Sequence, residues 1–263
     1  LTPQKRRAYL SELCAFNAGA LSQAIDYCAA NGIGGFRINS QILPLKTHPS
    51  VGYNLKDLPD GQAVIERFIL AGKKAGRNRI RLTFHPDQFI LLSSPDRGVT
   101  RRSVAELEYQ AEVSEWVGAD VINIHGGGAY GDKPSALARV AQNIPKLSRR
   151  IRCRLTLEND DRVYTPADLL PLCEKRKVPL VYDVHHHRCL TDGLSVEQAT
   201  QQALGTWNRE PLFHISSPRE GWDSKMPQYH HDFIRIKDFP ECWRGLNITV
   251  EVEAKAKERA IKR

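Results

Sequence analysis

Seven short apolar runs alternate with helix-length segments along 263 residues, and this alternation constrains the fold more than any other property of the chain. Residues 35–39, 79–84, 119–124, 154–157, 178–182, 211–215 and 247–252 read as strands, rich in Val, Ile, Leu and Phe. Helices are expected over 13–31, 61–75, 101–117, 135–150, 166–175, 195–204 and 239–243. Capping residues open several of them, such as Thr165 before Pro166 and Asp60 before Gly61. Repeated strand–helix units imply an α/β protein with a parallel sheet. An open doubly wound sheet is the rival, but no GxGxxG opens a helix, and polar residues gather at the ends of many strands, as on a barrel rim. The expected fold is one TIM (β/α)8 barrel catalytic domain over 1–263. Only seven strands are visible, so the first strand is expected upstream of Leu1, which leaves two unpaired sheet edges.

Composition narrows the class further. Apolar residues make up 41% and charged residues 26%, as in an ordinary globular protein, and no run is long and apolar enough for a membrane helix. The basic N-terminus lacks the apolar core of a secretory signal. Six cysteines are scattered without CxxC spacing and read as reduced core residues, which suits the cytoplasm, or the nucleus in a eukaryote. The formal net charge of +8 favours a polyanionic partner.

The chemistry lies where strands end. His48 follows the first strand in Thr47-His48-Pro49; the second ends in Phe84-His85-Pro86-Asp87-Gln88-Phe89. His125 ends the third and precedes Gly126-Gly127-Gly128-Ala129-Tyr130-Gly131. Glu158 ends the fourth, and Asp183-Val184-His185-His186-His187 follows the fifth. His214 lies on the sixth, His230 and His231 in the loop beyond it, and Glu251 and Glu253 on the last. One histidine after a strand is ordinarily a satisfied polar residue; nine of them with carboxylates at one rim suggest a metal cage. Imidazole and carboxylate without thiolate suit Zn²⁺, Mn²⁺ or Fe²⁺, and so many ligands imply two or three ions, with Glu158 the natural bridge. Paired ions and a basic surface together suit phosphodiester hydrolysis in nucleic acid.

The ordered elements His85-Pro86-Asp87-Gln88-Phe89, His125 to Lys133, Leu157-Glu158-Asn159-Asp160-Asp161-Arg162, Asp183 to His187 and Val252-Glu253-Ala254-Lys255 resemble the UV damage endonuclease family. The resemblance runs from about Leu13 to Glu258. It implies a TIM barrel related to apurinic endonuclease IV, with up to three divalent ions, usually manganese; zinc, magnesium and cobalt are alternatives. It also implies incision of double-stranded DNA immediately 5′ to cyclobutane dimers and 6-4 photoproducts, leaving a 3′-hydroxyl and a 5′-phosphate. The implied metal ligands are His85, His125, Glu158, Asp183, His186, His214, His231 and Glu253. Motif register selects His186 over His185 and His231 over His230. Glu158, His48 and Lys255 are the expected catalytic residues, and Lys133 and Lys257, which lie beside ligand motifs, are the expected phosphate contacts. Gln88 and Phe89 match the pair that probes the lesion, although Phe89 also opens the apolar run 89–92 and by itself reads as core.

Two positions depart from the family. Members often carry a lysine, which can be carboxylated, two residues before the histidine matched by His214; here it is Leu212. The family's N-terminal strand, with its tyrosine and asparagine probes, is not part of this sequence. The protein is expected to act as a monomer without an organic cofactor. Other basic pairs (Lys73-Lys74, Arg101-Arg102, Arg149-Arg150) read mainly as solvated helix faces, and Trp116 and Trp207 as packing residues. Rival readings are an abasic-site endonuclease, a metal-dependent sugar isomerase on the same barrel, and a basic DNA-binding module with structural histidines.

Overall fold

The computed structural model describes residues 2–262, and these fall into two compact units. The first comprises Leu1–Ile90, Arg101–Ile122 and Ser148–Arg154; the second comprises Leu91–Thr100, Asn123–Leu147 and Leu155–Arg263. Seven strands occur in chain order: β1 (Gly35–Ile38), β2 (Arg81–Phe84), β3 (Val121–His125), β4 (Leu155–Glu158), β5 (Leu180–Asp183), β6 (Leu212–Ile215) and β7 (Thr249–Val252). Their order in the sheet follows the sequence. The first unit holds the parallel pairs β1–β2, with Phe36 opposite Leu82, and β2–β3, with Phe84 opposite Ile122. In the second, β4 to β7 run parallel, with Glu158 opposite Val181, Asp183 opposite His214 and His214 opposite Glu251. β4, β5 and β6 are buried along their whole length, as expected when both faces of a parallel sheet are covered.

Helices α1 (Pro3–Ala30), α2 (Gly61–Arg77), α3 (Arg97–Val117), α4 (Lys133–Asn143), α5 (Arg149–Arg152), α6 (Pro166–Arg176), α7 (Val184–Cys189), α8 (Val196–Gly205) and α9 (Glu258–Ile261) are interspersed with the strands, and between β6 and β7 only 3-10 turns stand. α1 starts ten residues earlier than expected. Thr2 caps it by accepting from the Lys5 N–H, and Pro3 takes the first turn, where its missing N–H costs nothing. At α6 the expected Thr165 cap is a full capping box with Asp168. The expected Asp60 cap is not made: Asp60 sits at φ 56° with no side-chain cap bond. What the turn requires is Gly61, whose missing Cβ would lie 1.8 Å from the Leu55 carbonyl oxygen.

Two further expectations change. The helix expected over 135–150 breaks after Asn143 into a 3-10 turn, Ile144–Lys146, because Pro145 has no N–H to continue it. The segment 239–243 is no α-helix; 3-10 turns at Ile236–Asp238 and Glu241–Trp243 stand there instead. Cys14, Cys28 and Cys173 are buried free thiols as expected, while Cys153 is exposed. The basic pairs are surface features: Lys74 bonds Asp26 at 2.7 Å, and Arg150 lies 3.8 Å from Glu115. Trp116 packs against Phe68, and Trp207 donates to the Leu180 carbonyl. No described helix is long and apolar enough to cross a membrane.

Candidate metal centre

Within the second unit each strand carries a ligand type to the same end. β4 terminates on Glu158 and β5 on Asp183, both fully buried. α7 starts directly after Asp183, whose Oδ1 caps it by accepting from the His186 N–H at 2.8 Å. That cap fixes which histidine stands beside the carboxylate. The residue three positions after an N-cap is brought back beside it, so His186, and not His185, stands next to the Asp183 carboxylate, with Nδ1 3.6 Å from Oδ2.

Asn159 ties the ends of β4 and β5 together. Its Nδ2 donates to the Asp183 carbonyl (2.9 Å) and its Oδ1 accepts from the Asp183 N–H (3.0 Å). Its own carbonyl lies 3.0 Å from His186 Nδ1. Glu158 is held on its other side by Asn123, which donates to Oε2 and is itself oriented by the Thr156 hydroxyl at 2.9 Å. His214 places Nδ1 3.1 Å from Glu158 Oε1 and 3.4 Å from Glu253 Oε1, with Nε2 3.2 Å from Glu251 Oε2. The His125 ring lies 5.8 Å from that of His186.

Carboxylates dominate the electrostatics of this cluster. Burial alone pushes the imidazole of His186 down, but the carboxylates of Asp183, Glu158 and Glu253 outweigh it and hold it at about 9. His214 is likewise raised by Glu158 and Glu251 against complete burial. Asp183 Oδ2 is buried without a hydrogen bond among the described residues. Glu158, Asp183 and His186 each offer a ligand atom, and these atoms lie within 4.8 Å of one another. A buried carboxylate oxygen with no hydrogen bond and only an imidazole 3.6 Å away is suited to coordination, so the donor set fits a divalent ion.

The remaining expected residues take varied positions. His231 is pinned by its backbone, donating to the Ser217 carbonyl and accepting from the Lys255 N–H, and its Nδ1 accepts from the Phe233 N–H. His230 Nδ1 lies 3.9 Å from Glu253 Oε2. Lys133 Nζ is 2.8 Å from Asp168 Oδ2. Lys255 and Lys257 are exposed, and Leu212 is buried on the β6 face that it shares with His214. In the first unit, His85 directly follows β2, and His48 is an exposed loop residue after β1. Gln88 is exposed, and Phe89 is 70% exposed, so its reading as core is wrong. A cavity of about 720 Å³ in that unit, lined by Arg6, Lys46, Tyr53 and Glu112 among others, holds none of the expected ligands.

Asn123 and Asn159 are site residues the sequence reading does not single out, and Glu251, noted at the end of the last strand, is not among its implied ligands. Their signal is strand alternation: Asn123 shares a face with His125, and Glu251 with Glu253. His187 is part of the histidine run but faces away, bonded to the Tyr182 hydroxyl (2.7 Å) and to Asp192 (3.0 Å). The glycines after His125 serve the neighbouring loops. A Cβ on Gly126 would meet the Tyr164 ring at 2.6 Å, and one on Gly127, at φ 89°, would meet Ser93 Oγ at 2.3 Å.

Known proteins share this framework. A sequence model of the family described as UV-endonuclease UvdE matches residues 1–263. The UV DNA damage endonuclease of Bacillus thuringiensis subsp. konkukian (strain 97-27) is 32% identical over 273 residues, covering 99% of this chain and 83% of the relative. The crystal structure of SacUVDE superposes with a TM-score of 0.88 at 28% identity, over 98% of this chain and 86% of the other. Endonuclease IV from Thermus thermophilus gives 0.64 at 18% identity, covering 88% and 86%, a likeness of fold alone. The fold is therefore the TIM barrel expected from the strand–helix alternation, with seven parallel strands among the described residues. From its first residue to its last, the chain belongs to the UV-endonuclease UvdE family.

Proposed function

We propose that the chain is a metal-dependent DNA repair endonuclease that hydrolyses the phosphodiester immediately 5′ to cyclobutane pyrimidine dimers and 6-4 photoproducts, leaving a 3′-hydroxyl and a 5′-phosphate. The observation that carries the reading is the convergence of Glu158, Asp183 and His186, with Asp183 Oδ2 buried and bare, in a chain of this family. Glu158, Asp183 and His186 hold one ion. His125, His214 and Glu253 extend the set around Glu158, and His231 joins it on its motif. Divalent cations here, manganese first among them, acidify water and offset charge on the phosphate.

The chain's own residues set the geometry. Asn159 and the α7 cap fix Asp183 and His186, while Asn123 fixes Glu158, so the ligands need little reorganisation when an ion enters. Lys255, exposed and held by its N–H on the His231 carbonyl, supplies charge for the scissile phosphate, and Lys257 contacts the backbone beside it, while His48 is a phosphate contact on its own motif. Lys133 serves the same purpose only after leaving Asp168. Gln88 and Phe89 insert at the lesion, where an exposed ring replaces stacking lost on unstacking.

The test is a duplex carrying a single dimer, incubated with the protein and Mn²⁺ and sized at nucleotide resolution. One nick directly 5′ to the dimer, abolished by chelator, supports the reading. Cleavage only of a duplex with an abasic site, or none of the dimer duplex, overturns it.

A further inference from the structure

Between β6 and β7 the chain runs from Ser216 to Ile248 without a strand, longer than loops in compact domains usually are unless they bind something. Its first part folds back as a ribbon. Arg219 donates to the Tyr229 carbonyl (2.6 Å), His231 donates to the Ser217 carbonyl (2.8 Å), and Pro218 bridges His230 antiparallel. Gly221, at φ 96°, allows the chain to turn. The far end is tied down by Trp222, which donates to Asp238 Oδ1 (2.9 Å), lies under the Arg188 guanidinium and packs on His185 at 5.1 Å.

A ribbon so anchored still leaves Tyr229 46% exposed, one residue from His230 and two from His231. The Arg219 guanidinium stands 5.3 Å over its ring, and Arg235 donates to the Arg219 carbonyl. The surrounding charges alternate in sign: Arg219, Lys225, Arg235 and Lys237 against Glu220, Asp223, Asp232 and Asp238. Such a surface attracts phosphate weakly, and what it offers is a fixed aromatic face backed by a planar cation, the arrangement on which nucleobases stack.

Building on the endonuclease reading, we infer that Tyr229, held in place by Arg219, is a stacking platform for a DNA base flanking the cleavage site, separate from the probe at Gln88 and Phe89. Stacking needs the ring and not the hydroxyl, so Tyr229→Phe retains binding while Tyr229→Ala loses about tenfold in affinity for the lesion duplex. The side chain is neutral, so the slope of affinity against salt stays unchanged in both variants. A 2-aminopurine placed at successive positions beside the lesion reports the stacked base, its quenching by wild type being lost at one position in Tyr229→Ala. Metal content, measured on every variant, checks that His230 and His231 are undisturbed. Wild type that neither binds nor nicks the lesion duplex overturns the proposed function and this inference together. An active wild type with Tyr229→Ala binding within twofold of it, or with weakened binding tracking metal loss, overturns the inference alone.

Discussion

Because Asp183 uses Oδ1 to cap α7 and leaves Oδ2 bare in a buried setting, one substitution separates its two roles. Asp183→Asn keeps an oxygen for the cap and removes the charge. Bound metal is expected to fall by at least one equivalent and nicking by a factor on the order of 100. Unchanged metal content by elemental analysis would falsify the assignment. Phe89 makes the opposite case. With its ring 70% exposed, Phe89→Ala should leave stability within about 0.5 kcal/mol yet weaken binding to the lesion duplex. Buried Leu92, three residues on, should cost about 2–5 kcal/mol when cut to alanine. Chemical denaturation of the two variants distinguishes a probing residue from a core residue. A denaturation midpoint for Phe89→Ala as low as that for Leu92→Ala would return Phe89 to the core.

At the scale of elements, the α6 N-terminus gives the cleanest local tests. Thr165 and Asp168 form the capping box, so Thr165→Ala should cost about 1 kcal/mol. Burial pushes the Asp168 carboxyl up, but the Lys133 ammonium and the Thr165 N–H and hydroxyl outweigh it and hold the group below the usual carboxylate range. A folded pKa below the unfolded one means that the stabilisation is fully present above about pH 4 and is lost as pH falls through the folded value. The difference in urea midpoint between wild type and Asp168→Asn should therefore shrink as pH is lowered into that window, and a difference that widened would refute the pairing. Local signals were readable wherever the residue itself carries the constraint, as Thr165 before Pro166 does. Thr2 before Pro3 carries the same signal, yet the basic run after it hid the true start of α1. The Asp60 cap failed because a left-handed backbone turned its side chain from the helix, something no residue type announces.

For the molecule as a whole, metal binding at a cluster assembled only on folding would couple metal to stability. Mn²⁺ at about 100 times its dissociation constant should stabilise the protein by about 2.7 kcal/mol, and chelation should reverse it. A melting midpoint indifferent to both would mean that the carboxylates are satisfied without metal. By itself the sequence determined the parallel alternation of strands and helices and the residue types at the strand ends, because periodicity and side-chain chemistry are local properties. It also singled out His85, His125, Glu158, Asp183, His186, His214 and Glu253 through motifs whose order survives in the chain. Only the tertiary structure decided which groups meet. It set His186 rather than His185 beside Asp183 through the α7 cap, placed Asn123, Asn159 and Glu251 against Glu158, Asp183 and His214 through strand register, and turned His187 away to Tyr182 and Asp192. It also put Phe89 in solvent. Register and burial depend on partners distant in sequence, and those partners exist only once the strands have paired.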